Sequence, residues 1–319
     1  MKFFRQVVVP VLAILWIGLF SGCGNKIKEE KDQGPQGVDV FEPIVGINYY
    51  EVRRTFDTGV SYDSLGFVQS PEWHLRFAKK DSILVYSPYE DRMVGYKVHH
   101  DHELYFHFAR DSWRVHTLTP DSIVIQRLSL NGLKVNKVKS NVYMKFYSER
   151  FLNEEVQGEE PLEDKVARLR IPTAADTAFV RSQVELANRN PGNMDSTFAS
   201  RNYAQVISKH PVVTVTKRKI KHLELTEKSP AYEYLYPEYY IKIDRAYKDF
   251  NHDFSVIIDE NGKMHLGKVY VMEDFVEART KVVQGIIDVY LSNWLEVIPA
   301  ETLGMKHAST VYLYVKGRD

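Results

Sequence analysis

Between residues 49 and 151 the chain alternates short apolar and aromatic segments with turn residues. Within the segments, apolar and polar positions alternate with the period of two that is typical of half-buried strands. The intervening segments are rich in Asp, Asn, Ser, Pro and Gly, which form turns. The predicted strands cover residues 73–77, 82–86, 96–98, 103–108, 113–118, 122–128 and 141–147. This pattern predicts an antiparallel meander or small barrel over residues 40–152.

The hydrophobic pattern changes between residues 153 and 227, where we expect a linker and a short helical connector. The acidic start, up to residue 165, contains Gly and Pro and indicates a linker. Two modest helices are predicted after it, with Asp176 and Asp195 as plausible caps. These helices cover residues 177–188 and 196–208, and a strand is predicted over residues 212–225.

The last ninety residues, 228–319, combine helix and strand periods. Pro237 stands where a first helical turn tolerates proline, and Asn261-Gly262 is a strong hairpin turn signal. The predicted elements are a helix over 237–250, strands over 252–258 and 264–271, a helix over 273–291 and a strand over 309–315. The predicted fold class is therefore α+β.

Short motifs mark this order of elements: Tyr236-Pro237, the D-E-N-G-K turn at 259–263, Trp294, Pro299-Ala300 and Gly304. Together they resemble the C-terminal domain of TonB-type proteins. The resemblance implies a three-stranded antiparallel sheet with two helices, in which an exposed strand edge adds a strand from an extended partner segment. The candidate edge is residues 309–315. Its candidate partner-binding residues are Ser309, Val311, Leu313 and Val315.

Three phrases in the N-terminal half resemble lipocalin-like β-domains of bacterial lipoproteins. They are PEWHLRF at 71–77, SILVYSP at 82–88 and SWRVHTLTPDSIVIQRL at 112–128. The resemblance implies a sheet that could line a ligand cavity. A filled core is equally compatible with the same alternation of residues.

The N-terminus has the pattern of an export signal. Lys2 and Arg5 precede an apolar run over residues 7–20, which is shorter than the roughly 20 residues of a transmembrane helix. Ser21-Gly22-Cys23 follows and resembles the lipobox of bacterial lipoproteins. We therefore expect a signal peptide over 1–22, a covalent lipid on Cys23 and a flexible tether over 23–39. The expected location is the cell envelope, with the outer membrane favoured and either its periplasmic or its surface face.

Composition narrows the classes of function. The chain has 42 Lys and Arg against 42 Asp and Glu, which argues against a general nucleic-acid binder. Its 20 Tyr and 16 Phe favour sheet. The length of 319 residues is enough for two domains of ordinary size. Cys23 is the only cysteine, so no internal disulfide can form and the fold depends on its core.

Five of the eleven histidines lie within one window of the β-rich half: His99, His100, His102, His107 and His116. The first four are the candidates for a metal site. Their spacing matches no recognised zinc pattern, and the alternation places His107 on the polar face of its strand. Surface or turn histidines are therefore the favoured interpretation. We predict no metal and no cofactor other than the lipid on Cys23.

The usual catalytic motifs for nucleophilic serine, phosphate, dinucleotide and zinc chemistry do not occur in the sequence. A non-enzymatic, lipid-anchored envelope protein that docks an envelope protein partner through its C-terminal domain is the favoured hypothesis. One alternative is a TonB-like energy transducer with an uncleaved N-terminal anchor. It would need a transmembrane helix and a long Pro-rich spacer, whereas the 13 prolines are spread thinly. A second alternative is an unrecognised hydrolase or metalloprotein.

Overall fold

A computed structural model describes residues 40–78, 81–132, 134–220 and 229–319. The predicted signal peptide, Cys23 and the tether lie outside the described residues. The same holds for residues 221–225 of the strand predicted over 212–225. Within the described ranges, no helix is both long enough and apolar enough to cross a membrane.

The N-terminal half consists of strands, as the alternating pattern predicts. In chain order they are β1 (Asn48–Phe56), β2 (His74–Ala78), β3 (Ser82–Ser87), β4 (Arg92–Lys97), β5 (His99–His102), β6 (Tyr105–Phe108), β7 (Asp111–Leu118), β8 (Ser122–Leu128), β9 (Leu130–Asn131), β10 (Lys134–Val135) and β11 (Val142–Ser148). Strands β9 and β10 form a separate small hairpin. The other nine form one antiparallel sheet in the order β4-β3-β2-β1-β11-β8-β7-β6-β5.

This sheet curls into a nearly closed barrel. Its two edge strands, β4 and β5, are consecutive in the chain and are separated only by Val98. Two edges joined by one residue cannot lie on opposite sides of a flat nine-stranded sheet, because each strand adds about 4.8 Å of width. Val98 is buried, and its N–H donates to the carbonyl oxygen of Asp81 at 2.6 Å. The prediction of an antiparallel meander or small barrel is confirmed.

Aromatic rings fill the inside of the barrel. Phe41, beside a 3-10 turn at Glu42–Ile44, stacks on Phe77 with ring centroids 4.6 Å apart. Phe108 stacks on Trp113 at 5.2 Å, and Phe106 lies beside Phe108 at 5.9 Å. All five rings are at most 5% exposed. Of the two possibilities that the sequence leaves open, the described structure therefore has the filled core.

Three helices follow the barrel: α1 (Glu149–Glu154), α2 (Leu162–Leu169) and α3 (Ala174–Arg189). The helix predicted over 177–188 lies within α3, where Thr173 and Asp176 form a capping box. The predicted linker up to residue 165 is partly helical, since α1 and α2 occupy much of it. The helix predicted over 196–208 is wrong, because only a 3-10 turn at Met194–Ser196 forms and the segment ends in a strand.

The described residues of the C-terminal part add nine strands and three helices. They are β12 (Gln205–Ser208), β13 (Val213–Lys217), α4 (Tyr232–Leu235), β14 (Glu238–Asp244), β15 (Phe250–Ile258), β16 (Met264–Val269), α5 (Val276–Ile286), α6 (Ser292–Trp294), β17 (Leu295–Ile298), β18 (Ala300–Thr302), β19 (Met305–His307) and β20 (Ser309–Arg318). A π-helical turn at Ile287–Leu291 joins α5 to α6. The fold class is α+β, as predicted.

The main C-terminal sheet has five strands in the order β13-β14-β20-β15-β16, and β14 and β20 run parallel. Two expectations are corrected here. The helix predicted over 237–250 is wrong, because residues from Glu238 to Asp244 form strand β14. The expected three-stranded antiparallel sheet is a five-stranded mixed sheet. The predicted hairpin and the helix over 273–291 are found, the latter as a 3-10 turn, α5 and the π-helical turn.

Burial alternates along the sheet and explains why residues 238–244 form a strand. Tyr239, Ile241 and Ile243 are at most 4% exposed and point to one face, which we call the inner face. There they join one hydrophobic core with Val283 and Ile286 of α5. Each buried aliphatic side chain of this kind contributes about 1.5–3 kcal/mol to folding. The period of two therefore outweighs the helix signal of the preceding proline.

Candidate functional site

The opposite face of the C-terminal sheet carries tyrosines where the inner face carries aliphatic residues. On β20, Tyr312 and Tyr314 alternate with the buried Val311, Leu313 and Val315. On β14, Tyr240 takes the same outward position. Tyr232 and Tyr236 extend this surface at α4, and Tyr270 extends it just after β16. We call these six residues the tyrosine face: Tyr232, Tyr236, Tyr240, Tyr270, Tyr312 and Tyr314.

The strand register brings the rings together. Tyr240 and Tyr314 are partners across the parallel β14–β20 pair, and their rings stack with centroids 4.8 Å apart. Tyr312 lies 6.3 Å from Tyr236 on one side and 6.3 Å from Tyr270 on the other. Tyr236, Tyr240 and Tyr270 are 38%, 45% and 43% exposed. The result is an aromatic surface that water reaches, made of the Tyr240–Tyr314 stack and of the rings around Tyr312.

Two hydroxyl groups of this surface, those of Tyr312 and Tyr314, are held in the protonated form. Burial, followed by the nearby Tyr270 hydroxyl, raises the pKa of Tyr312 to about 12. Burial, followed by the carboxylate of Glu238, raises the pKa of Tyr314 to about 12. Glu238 also forms an ion pair with Arg218 at 2.8 Å. At neutral pH the phenols are therefore hydrogen-bonding groups rather than charges.

Charged side chains of both signs surround the aromatic surface. Lys268 places its Nζ 5.8 Å from the ring centre of Tyr270, and Lys242 pairs with Asp244 at 2.8 Å. An aromatic centre with a charged rim is the usual anatomy of a protein–protein interface, where Tyr is enriched. Tyrosine suits this role because its ring is largely apolar and its hydroxyl can still bond to a partner or to water.

A cavity of about 390 Å³ adjoins the tyrosine face. Tyr236 and Tyr312 belong to both. The rest of the wall comes from α3 and the segment after it, from residues 64–65, and from Leu235 and Thr310. Thr197 and Thr310 meet in this wall with their hydroxyl oxygens 3.0 Å apart. The volume lies within the range of small-ligand pockets and would also admit one protruding side chain of a partner.

A second cavity of about 490 Å³ lies at the rim of the barrel, outside its aromatic core. Asp111 and Arg127, which line it, form an ion pair at 3.0 Å. Arg110 and Lys139 also line this cavity, so its wall carries more positive than negative charge.

Ser309, Val311, Leu313 and Val315 are not at a sheet edge. Strand β20 pairs with β15 from Ser309 onward and with β14 from Tyr312 onward, so from Tyr312 its backbone donors and acceptors are used on both sides. These four side chains are at most 3% exposed. The edges of the sheet are β13 and β16. The sequence prediction did not include Tyr312 and Tyr314, the outward residues of the same strand that lie on the tyrosine face. Their alternation with aliphatic residues is visible in the sequence.

The four candidate metal-binding histidines lie on β5 and β6. His100 contacts the carbonyl oxygen of Glu103 at 2.7 Å, and His107 contacts the hydroxyl of Ser112 at 2.8 Å. His102 lies 2.9 Å from Asp101. His99 pairs with His107 across the two strands. Within the described residues, no group of three or more His, Cys, Asp or Glu side chains is arranged to hold a metal ion.

No protein-family model matches the chain, and no curated protein matches it either.

Proposed function

We propose that the chain is a lipid-anchored binding or accessory protein of the cell envelope, with no enzymatic activity, which holds an envelope protein partner on the tyrosine face. The observation that carries the proposal is the outward alternation of Tyr312 and Tyr314 on a central strand, beside Tyr240. A sheet face that only met water would not favour this accumulation of partly exposed aromatic rings.

The membrane attachment rests on the sequence. The positively charged start, the short apolar run and Ser21-Gly22-Cys23 support export and acylation of Cys23. More than one acyl chain is needed for stable attachment, since one chain gives only marginal binding. We place the anchor in the outer membrane, with the protein at its periplasmic or its surface face.

The likeness to TonB-type C-terminal domains supports partner docking in a changed form. The hairpin β15–β16, the helix α5 and the strand β20 follow one another in the expected order. Docking by strand addition at residues 309–315 is not available, because β20 is central. We therefore assign docking to the face of the sheet, where side chains rather than backbone groups would contact the partner.

The anchor is tested by mass spectrometry of the protein purified from membranes, which identifies its first residue and any acyl groups on it. We expect a chain that begins at Cys23 and carries acyl groups. A chain that begins at Met1 would contradict the lipoprotein assignment and would favour an uncleaved anchor.

The docking face is tested by photocrosslinking in intact cells. A photoreactive phenylalanine analogue replaces Tyr240, which is 45% exposed on the tyrosine face. In the matched control the analogue replaces Tyr89, which is 92% exposed and lies in the barrel. We expect one adduct of defined mass from position 240 and none of that mass from position 89. Equal adducts from both positions, or no adduct from position 240, would contradict the proposal.

A further inference from the structure

Helix α5 has a second apolar surface that does not face the core. Val283 and Ile286 point into the core, and Ile287 continues this inner stripe. One residue earlier in each case, Val282 and Gly285 face solvent instead. They belong to an exposed row that we call the outer seam, whose members are Phe275 in the 3-10 turn before α5, Ala278, Val282 and Gly285 in α5, and Val289 in the π-helical turn after it. Phe275, Val282 and Val289 are 53%, 43% and 59% exposed.

Gly285 is the most informative member of the outer seam. A glycine inside a helix destabilises it by about 1 kcal/mol relative to alanine. A Cβ atom added at Gly285 would meet nothing within 4 Å. No contact with the described residues therefore requires glycine at this position. Close approach of another backbone from outside would require it, as in helix pairs that meet at small residues.

The spacing of the outer seam is that of a helix-pairing surface. Its members follow one another at intervals of three, four, three and four residues, which is the seam of a coiled coil. Large residues alternate with the small Ala278 and Gly285 along it. An antiparallel pair of such seams places Val282 of one helix against Gly285 of the other, so that each large side chain meets a small one.

The charges beside the seam agree with this alignment. Lys281 and Asp288 lie on the same flank of the outer seam. In an antiparallel pair of helices, this flank of one copy faces the same flank of the other copy. With Val282 against Gly285, Lys281 of one copy lies beside Asp288 of the other, and the two-fold axis produces this pair twice. Among the described residues, Lys281 pairs with Glu277 at 2.9 Å and Asp288 accepts from the Gln284 amide at 2.8 Å, both close by in the chain. Both groups are therefore exposed and able to change partner.

A membrane surface suits the seam less well. Residues 273–289 contain four acidic side chains, at 273, 274, 277 and 288, against two basic ones, at 279 and 281. Helices that lie on anionic membranes carry mainly Lys and Arg on their polar face. We propose that α5 pairs antiparallel with α5 of a second copy of this chain along the outer seam, which makes the protein a two-fold dimer.

The proposal is tested by sedimentation equilibrium of the full chain in density-matched detergent, over a wide range of protein concentration. We expect a monomer–dimer equilibrium for the parent chain and only monomer for Gly285→Glu. The Gly285→Glu change has open space in the monomer, so its circular dichroism and unfolding midpoint check that the fold is kept. In the matched control, Val138→Glu introduces the same charge at a residue that is 83% exposed in the barrel, and it should dimerise like the parent.

Charge exchange tests the alignment itself. Lys281→Asp and Asp288→Lys should each raise the dimer dissociation constant about tenfold, and the double variant should return it to near the parent value. A parent chain that is monomeric at every concentration would overturn the proposal. Association that persists unchanged in Gly285→Glu would also overturn it, because that association would come from the acyl anchor. Failure of the double variant to restore dimerisation would overturn the antiparallel pairing.

Discussion

Asp176 joins helix α3 to the barrel, and its replacement by Asn gives a stability prediction that follows from the geometry. Its side chain is 0% exposed and pairs with Arg53 of β1, which is 18% exposed. The carboxylate also accepts hydrogen bonds from the N–H groups of Ser61 at 2.7 Å and Thr173 at 2.8 Å, and from the Thr173 hydroxyl at 3.0 Å. All four contacts are donated to one buried anion.

An Asn at position 176 has one acceptor oxygen and an amide group that can only donate. It keeps part of the acceptor role, but it leaves Arg53 without its buried counter-charge. Its amide N–H group also faces N–H donors of the neighbouring residues, with which it cannot form a hydrogen bond. Hydrogen bonds to a charged group contribute about 1.5–3 kcal/mol each, and removing one member of a buried ion pair costs about 3–5 kcal/mol. Because Arg53 is partly exposed, we expect a loss of about 3 kcal/mol in the free energy of unfolding.

The assay is urea denaturation of the purified parent protein, of Asp176→Asn and of the control Glu185→Gln. Glu185 lies on the exposed side of the same helix, so its variant should stay within about 0.5 kcal/mol of the parent. Burial opposes ionisation of Asp176, but the hydrogen bonds from Ser61, Thr173 and Arg53 outweigh it and lower the pKa.

A carboxylate with a lowered pKa in the folded state stabilises the protein above its unfolded pKa and loses this contribution as the pH falls through the folded value. The difference between the parent and Asp176→Asn should therefore shrink below about pH 4. A difference below about 0.5 kcal/mol at pH 7, or one that does not change on acidification, would refute the reasoning.

Three further predictions concern single residues. Burial lowers the pKa of His307 to about 4, so between about pH 6.5 and pH 4 only the unfolded chain binds a proton at this residue. The free energy of unfolding should therefore fall by roughly 2–3 kcal/mol as the pH is lowered through that range. The His307→Gln variant, compared by urea titrations at several pH values, should lack this fall. Gly262 has φ +80°, and an added Cβ would lie 2.6 Å from a backbone oxygen of β17, so Gly262→Ala should destabilise by about 2–3 kcal/mol. Gly59→Ala, at φ +78° with open space, should show the smaller strain cost alone, and equal losses would contradict the steric part. Gly285→Ala should raise the unfolding free energy of the dilute monomer by about 1 kcal/mol, and a loss of stability would contradict its open surroundings.

The barrel could be predicted from the sequence because its signals are local. Each strand of the N-terminal half alternates apolar and polar residues, and each turn carries its own turn residues. The connection of β4 to β5 through Val98 could not be foreseen in the same way. It depends on the curl of the whole sheet, which no single segment records.

The C-terminal sheet was harder to predict because its pairing is not local. Strands β14 and β20 lie about seventy residues apart in the chain, and β20 becomes central only through their parallel pairing. Residues 238–244 alternate correctly, but Pro237 is also a common first residue of helices. The strand β12 pairs with β17, which lies about ninety residues further along the chain. The segment that contains β12 has no neighbouring strand in the sequence that would indicate this pairing.

The candidate site was therefore only half visible in the sequence. The alternation of Tyr312 and Tyr314 with aliphatic residues indicates that the two faces of β20 differ. The inner face is covered by α5, and part of the opposite face is covered by α3, which packs against Ile257. The stacking of Tyr240 on Tyr314 depends on the parallel register. The likeness to an edge-binding family instead predicts binding by residues of the same strand that are buried in the structure.

The most direct test of the central claim is the affinity of the crosslinked partner for purified variants of the full chain. Tyr240→Ala removes one exposed ring of the tyrosine face, and Tyr89→Ala removes an exposed ring of the barrel. Truncation of an aromatic residue at the centre of an interface typically weakens binding by about tenfold or more. We predict at least this loss for Tyr240→Ala with no change for Tyr89→Ala. Equal affinities for the parent and for Tyr240→Ala would contradict the assignment of docking to this face.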